Sequence, residues 1–157
     1  MAYAAKTGTL NPPLLILYTG LIFWTVGYDT IYACQDIEDD MKIGVKSTAR
    51  RFGKRVKLGV GICFGTFIAL LIYAFTKSSV MLVEPTNITN PMFPLGIDLF
   101  GGVILVTPLA IHLLWQVHKL DHLNSVNTLK IFKANFWTGL ILIISMSLFQ
   151  YFISFKT

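Results

Sequence analysis

Charged residues are scarce in this sequence. Only 13% of its 157 residues are Asp, Glu, Lys or Arg, against roughly 25% in ordinary soluble domains. Hydrophobic residues make up 54% of the chain, which leaves too little polar surface for a small soluble globule. The composition therefore excludes an ordinary soluble domain and indicates a polytopic helical membrane protein.

Cysteine and several well-known motifs are also scarce or missing. Cys34 and Cys63 are the two cysteines, and their spacing suggests neither a disulfide framework nor a zinc site. We interpret both as small buried apolar residues. No glycine-rich phosphate loop or metalloprotease helix is present, and Met41 and Ser47 stand where a calcium-binding EF-hand loop would need Gly and Glu.

Long hydrophobic windows, in contrast, recur along the chain. Each is about the length of helix that crosses a hydrocarbon core of roughly 30 Å. We therefore expect an all-α membrane bundle that forms one domain over residues 1–157, with no signal peptide before the first window. The predicted transmembrane helices cover residues 14–35, 56–76, 98–118 and 134–155.

The connections carry weaker predictions. The residues after the first span are good helix formers, so this helix should continue until Gly44, the first clear stop. Residues 77–96 contain three prolines and should form a loop, and residues 127–133 should form a short amphipathic helix on the cytoplasmic surface. Gly61, Cys63 and Gly65 in the second span predict a close-packing helix face.

Positive charge is concentrated on one predicted side of the membrane. Seven of the thirteen Lys and Arg residues lie between Lys42 and Lys57, and three more are Lys119, Lys130 and Lys133. The positive-inside rule places this side in the cytoplasm. Because the basic residues cluster at membrane borders, the net charge of +5 favours lipid phosphates or a diphosphate as partners and argues against nucleic acid.

An acidic pair precedes this basic cluster. Asp36 and Asp40 are four residues apart, so on a helix their carboxylates point the same way and can share a cation. Mg²⁺ usually binds one or two carboxylates together with substrate phosphate oxygens, and an oxygen-only donor set favours it over zinc or iron. We predict that this pair holds Mg²⁺, which would neutralise a diphosphate leaving group on the substrate. Lys46 and Arg50 would contact the same diphosphate.

A carboxylate also stands inside the first predicted span. Asp29 would cost a few kcal/mol in lipid, so we expect it to face a polar cavity. Rings facing the same cavity could stabilise an allylic cation. The alternative is a packing carboxylate bonded to a neighbouring helix, with interface tyrosines beside it. Helical spacing predicts one shared face for Tyr28 or Asp29, Tyr32, Asp36 and Asp40.

The stretch Tyr28–Gly53 resembles the second aspartate-rich motif of the 4-hydroxybenzoate polyprenyltransferases, in the UbiA superfamily. A weaker similarity covers Leu129–Leu142, although Phe136 stands where that family commonly has a basic residue. The matching positions of the first stretch are Tyr28, Asp29, Thr30, Tyr32, Ala33, Asp36, Asp39, Asp40, Ile43, Gly44, Lys46, Ser47, Thr48, Ala49, Phe52 and Gly53.

The resemblance implies a nine-helix intramembrane bundle with two aspartate motifs facing a central cavity. This chain resembles the second half, and the family's first motif, NDxxDxxxD, does not occur in its 157 residues. Three interpretations stay open: a truncated gene product, a fragment, or one part of a split enzyme whose partner is a separate N-terminal half. The implied location is the bacterial inner membrane, or the mitochondrial inner membrane in a eukaryote.

The implied reaction is Mg²⁺-dependent transfer of a polyprenyl group from polyprenyl diphosphate to 4-hydroxybenzoate in ubiquinone biosynthesis. The resemblance assigns catalytic roles to Asp29, Asp36 and Asp40. It implies a diphosphate contact for Lys46, and the residue pattern described above adds Arg50, Tyr28 and Tyr32 as predicted substrate contacts. Two alternatives remain: a non-catalytic or degenerate membrane fragment that binds cations or lipid head groups, and a small transporter with Asp29 as its coupling residue.

Overall fold

The computed structural model describes residues 12–82 and 93–154, and these residues form helices with no strand. Four of the helices are long and apolar enough to cross a membrane, which confirms the prediction of an all-α, four-span chain. The elements are α1 (Pro12–Ala33), α2 (Ile37–Ile43), α3 (Thr48–Phe52), a 3₁₀ turn (Gly53–Arg55), α4 (Val56–Leu82), α5 (Phe93–Lys119) and α6 (Ser125–Ser154).

The four long helices form a closed ring in which each packs against two others. Helix α1 contacts α4, α4 contacts α5, α5 contacts α6, and α6 returns to α1. Phe67 and Leu71 of α4 are fully buried and belong to one apolar cluster that also contains Leu109 of α5 and Ile131 of α6. Burial of this apolar set is what holds the described helices to one another inside the bundle.

The acidic segment lies at the end of the bundle where α1 ends, α4 begins and α5 ends. The Lys57 ammonium donates to the His118 carbonyl oxygen at 3.5 Å, which joins the start of α4 to the last turn of α5. Leu120, directly after α5, is fully buried. The same end therefore gathers the acidic residues and the predicted cytoplasmic basic residues.

Glycines bring α1 and α4 close together. A Cβ atom at Gly27 of α1 would lie 2.5 Å from the Phe64 ring, and one at Gly20 would lie 3.4 Å from Phe67. On the predicted packing face of α4, Cys63 lies against α1, since a Cβ at Gly27 would be 3.4 Å from Cys63 Cβ, but the two glycines of that face make no close approach. Gly65 has no neighbour within 4 Å, and Gly61 meets only Val117 at an ordinary 3.7 Å.

The predicted connections differ from the structure in three places. Helix α1 ends at Ala33, and α2 is a separate helix that ends at Ile43 and is followed by Gly44 in a left-handed conformation with φ 78°. Helices α4 and α5 extend into the predicted loop 77–96, of which 83–92 lies outside the described residues. Residues 127–133 are the first turns of α6 and not a surface helix, because Ile131 is buried in the bundle.

Candidate active site at the acidic end

Asp36 and Asp40 lie one helical turn apart, as their spacing predicts. Asp36 is the residue before α2, and its carbonyl oxygen accepts the Asp40 N–H at 2.8 Å. The Asp39 carboxylate is 2.9 Å from the Lys42 ammonium and so already has a cationic partner. Within residues 12–82 and 93–154, Asp36 and Asp40 form no salt bridge, so both carboxylates remain available to a ligand.

This pair suits Mg²⁺ only if other oxygen donors complete the coordination shell of the ion. No group of three or more His, Cys, Asp or Glu residues that could hold a metal occurs in the described part of the chain. A pair of exposed or half-exposed carboxylates matches the usual Mg²⁺ site, which takes one or two carboxylates and completes its shell with phosphate oxygens and water. The donor set therefore suits a cation that arrives with a phosphorylated substrate.

The two predicted diphosphate contacts have different surroundings. The Arg50 guanidinium donates from Nη1 to the Asp40 carbonyl oxygen at 3.0 Å and also to the Val45 carbonyl oxygen. Arg50 therefore holds the turn between α2 and α3 together. Lys46 is exposed and forms no salt bridge with a described residue, so its ammonium is the freer of the two beside the acidic pair.

The segment that carries Lys46 is anchored to α1. The Thr30 hydroxyl donates to the Val26 carbonyl oxygen at 2.7 Å and lies 2.9 Å from the Thr48 hydroxyl. Ala49, in the following turn, is fully buried. These contacts fix the start of α3 against the end of α1, and the position of Lys46 follows from them.

A row of aromatic rings, formed by Tyr32, Tyr28 and Trp24, follows α1 away from the acidic end. The Tyr28 ring lies 5.6 Å from the Trp24 ring in a T-shaped pair and 6.1 Å from the Phe132 ring of α6. Tyr32 lies 4.9 Å from the same Phe132 ring. Sequence reasoning found the two tyrosines and missed Trp24 and Phe132, although Trp24 precedes Tyr28 by the same four residues that separate Tyr28 from Tyr32.

Asp29 is exposed on a strip of α1 that is otherwise mostly apolar. The strip runs within the candidate span Leu14–Ala33, where an ionised carboxylate facing lipid would cost a few kcal/mol. This face of α1 therefore needs protein or water against it in the membrane. The exposed residues of the strip are Tyr18, Ile22, Val26, Asp29 and Tyr32.

The predicted helical face from Asp29 to Asp40 is interrupted. Helix α1 ends at Ala33 because the next amides turn back by three residues, with Gln35 N–H donating to the Tyr32 carbonyl oxygen at 2.9 Å. Asp favours the N-terminal boundary of a helix over its interior, and Asp36 occupies that boundary. The tyrosines and Asp29 thus belong to α1, and the acidic pair belongs to α2.

A chain of hydrogen bonds crosses the interior of the bundle beneath the aromatic row. The Trp24 indole N–H donates to Asn135 Oδ1 at 3.0 Å, and Asn135 Nδ2 donates to Gln116 Oε1 at 3.0 Å. Gln116 Nε2 donates to the Thr138 hydroxyl at 2.8 Å, and this hydroxyl lies 3.0 Å from His112 Nδ1. Gln116 and Thr138 are fully buried. Sequence reasoning did not find this network, because its bonds join residues that are far apart in the sequence.

Comparison with known proteins adds the family. The model of the UbiA prenyltransferase family matches residues 1–142. The chain is 33% identical, over 148 residues, to a 4-hydroxybenzoate octaprenyltransferase of Ectopseudomonas mendocina (strain ymp), covering 94% of this chain and 44% of that relative. A 4-hydroxybenzoate octaprenyltransferase of Nitrosomonas eutropha is 45% identical over 74 residues, which are 47% of this chain and 26% of the relative.

A third relative gives the same picture. The 4-hydroxybenzoate octaprenyltransferase of Stutzerimonas stutzeri (strain A1501) is 31% identical over 140 residues, covering 89% of this chain and 41% of its own length. No solved structure matches the chain. The chain thus spans less than half the length of these curated relatives.

Proposed function

Because the chain belongs to the UbiA prenyltransferase family, we propose that it forms part of a membrane-embedded enzyme that transfers a polyprenyl group to 4-hydroxybenzoate. The observation that carries this proposal is the Asp36–Asp40 pair, free of salt bridges with described residues and set at one end of an apolar bundle. In the reaction, the carbon–oxygen bond of polyprenyl diphosphate breaks, a carbon–carbon bond forms ortho to the acceptor hydroxyl, and the ring loses a proton. The product would enter ubiquinone biosynthesis.

The residues at the acidic end would each have a different role in binding the diphosphate. Asp36 and Asp40 would hold Mg²⁺, which when bound supplies neutralisation of the charge on the diphosphate leaving group. Lys46 would contact a diphosphate oxygen directly, since its ammonium is exposed and forms no salt bridge with a described residue. Arg50 would keep the turn between α2 and α3 in place through its bonds to backbone carbonyl oxygens.

The residues on α1 would act on the organic part of the substrates. The Tyr28 and Tyr32 rings, both packed on Phe132, would stabilise positive charge on the allylic carbon through the negative faces of their π systems. Packed rings would also keep water from capturing this carbon. Asp29 would orient or polarise groups of the acceptor.

The exposed strip of α1 indicates that further polypeptide packs against this bundle. We propose that it packs against the region that the relatives carry beyond the matched segment, since the chain covers 44% of the E. mendocina relative. Such packing would enclose Asp29 in a polar cavity rather than leave it in lipid. The basic residues at the same end as α2 favour a cytoplasmic position for the acidic pair.

Complementation tests the proposal. The full chain would be co-expressed with the part of the E. mendocina relative that lies outside its matched region, and transfer from polyprenyl diphosphate to labelled 4-hydroxybenzoate would be measured in membranes. We expect activity only when both polypeptides are present. No activity, while the relative divided at the same point remains active, would favour a non-catalytic membrane protein that binds cations or lipid head groups.

A substitution at Lys46 tests the proposed diphosphate contact. Hydrogen bonds to charged groups contribute about 1.5–3 kcal/mol, so Lys46→Met should raise the KM for polyprenyl diphosphate about tenfold or more. Lys42→Met is the matched control, because Lys42 already pairs with Asp39, and its KM should stay within about twofold of the parent value. Equal effects of the two substitutions would indicate general attraction by the basic segment and would contradict a specific contact.

A further inference from the structure

The hydrogen-bond chain below the aromatic row has no place in the proposed handling of the diphosphate. It joins α1, α5 and α6 through Trp24, Gln116 and Asn135, and its central members are buried. Buried amide side chains are costly unless their bonds are satisfied. Here Asn135 uses both its oxygen and its nitrogen on other side chains, so its orientation is fixed.

Asn135 interacts with both residues whose rings contact the Tyr28 ring, Trp24 and Phe132. Its oxygen accepts the N–H of Trp24, the ring that forms a T-shaped pair with Tyr28 at 5.6 Å. Its nitrogen lies 3.3 Å from the carbonyl oxygen of Phe132, whose ring centroid is 6.1 Å from that of Tyr28. A change at Asn135 would therefore release Trp24 and would also alter the turn that presents Phe132.

Gln116 determines which way the Asn135 amide points. Its oxygen accepts from Asn135 Nδ2 and its nitrogen donates to Thr138, so the donor sequence runs from Trp24 through Asn135 and Gln116 to Thr138. A reversed Asn135 amide would place its NH₂ group against the Trp24 N–H, and two donors would then face each other. The network thus selects one orientation of the Trp24 indole.

We propose that Asn135 is a positioning residue for prenyl transfer: held by Gln116, it fixes Trp24 and thereby the Tyr28 ring at the allylic end of the prenyl donor. This inference rests on the proposed function. Loss of Asn135 leaves the diphosphate contacts in place, because those lie on α2 and the following turn. It loosens the ring that covers the reacting carbon, and water then competes with the aromatic acceptor.

The competing reaction is hydrolysis of the polyprenyl diphosphate. Water attacks the allylic carbon, the carbon–oxygen bond to diphosphate breaks, and the products are prenyl alcohol, diphosphate and a proton. The ratio of prenyl alcohol to prenylated 4-hydroxybenzoate therefore reports how well the carbon is covered. This ratio does not depend on how much folded enzyme a preparation contains.

Asn135→Leu in the complemented enzyme is the first arm of the test. Small displacements of positioning groups have large effects on rate, so we expect kcat to fall about tenfold or more and the alcohol ratio to rise about tenfold. The KM for polyprenyl diphosphate should stay within about twofold. Ser145→Ala is the matched control, because it also removes a hydrogen bond between α5 and α6, from Ser145 Oγ to the Leu105 carbonyl oxygen at 2.9 Å.

A double substitution separates positioning through Trp24 from general destabilisation. Trp24→Phe removes the indole N–H, so adding Asn135→Leu to it should change the alcohol ratio less than Asn135→Leu does alone. If the two substitutions instead act independently, so that their effects on the alcohol ratio multiply in the double variant, the inference is overturned. So would an alcohol ratio for Asn135→Leu equal to that of Ser145→Ala.

Fluorescence tests the same contact without catalysis. In the full chain carrying Trp115→Phe and Trp137→Phe, Trp24 is the remaining tryptophan, and Asn135→Leu should shift its emission to shorter wavelength because the indole loses its hydrogen-bond acceptor. No shift would overturn the inference whatever the activity. An inactive parent enzyme with the expected shift would instead count against the proposed function.

Discussion

Asp36→Asn is expected to lower prenyl transfer by the complemented enzyme about a thousandfold, the upper range for loss of one preorganised electrostatic group. Asparagine keeps the size of the side chain and removes its negative charge, so the metal–diphosphate group loses half of its carboxylate pair. Asp40→Asn should have an effect of the same order, because both carboxylates are free of salt bridges with described residues. The measurement is kcat/KM for polyprenyl diphosphate at saturating Mg²⁺.

Asp39→Asn is the control that makes this prediction specific. Asp39 lies in the same short helix, but its carboxylate is paired with Lys42 at 2.9 Å on the exposed surface. Such surface pairs contribute little, so kcat/KM should remain within about threefold of the parent value. An Asp36→Asn enzyme as active as the Asp39→Asn enzyme would show that acidity of the segment as a whole, and not this pair, matters.

Gly27→Val should have the largest effect on stability. A Cβ at Gly27 would lie 2.5 Å from the Phe64 ring, and Phe64 is only 3% exposed, so the ring has no space to move into. Overpacking of this kind typically costs 1–3 kcal/mol, and we expect about 3 kcal/mol. The free energy of unfolding of the full chain would be measured by denaturant titration in mixed micelles.

Gly65→Val gives the comparison for a glycine in the same bundle. No atom lies within 4 Å of a Cβ built at Gly65, so the substitution should change the free energy of unfolding by less than about 1 kcal/mol. Equal destabilisation at both positions would mean that α1 and α4 do not approach each other at Gly27 as described.

The fold was largely predictable because lipid demands long apolar helices. Each of the four predicted spans coincides with a long helix, although the first helix ends at Ala33 and not at residue 35, and the last begins at Ser125 and not at residue 134. Hydropathy finds where charge stops, whereas α6 continues through Lys130 and Lys133, which are exposed at its polar end. The turn between Asp36 and Asp40 was also predictable, because local spacing alone determines it.

The site was less predictable wherever contacts join distant residues. The Trp24–Asn135 bond links residues 111 positions apart, and no local pattern in either helix specifies its partner. Arg50 was predicted as a substrate contact, and its bonds to backbone carbonyl oxygens became visible only when α2 and α3 were placed together. The break after Ala33 was missed because the residues around it are acceptable helix formers.

Binding of polyprenyl diphosphate to the complemented enzyme, titrated with Mg²⁺ and then with a chelator, tests the central claim most directly. If Asp36 and Asp40 hold a magnesium-bound diphosphate, affinity should rise with Mg²⁺, fall when the chelator is added, and lose this dependence in the doubly substituted Asp36→Asn, Asp40→Asn enzyme. Binding that is equally tight with chelator present, or equally Mg²⁺-dependent without the two carboxylates, would contradict it.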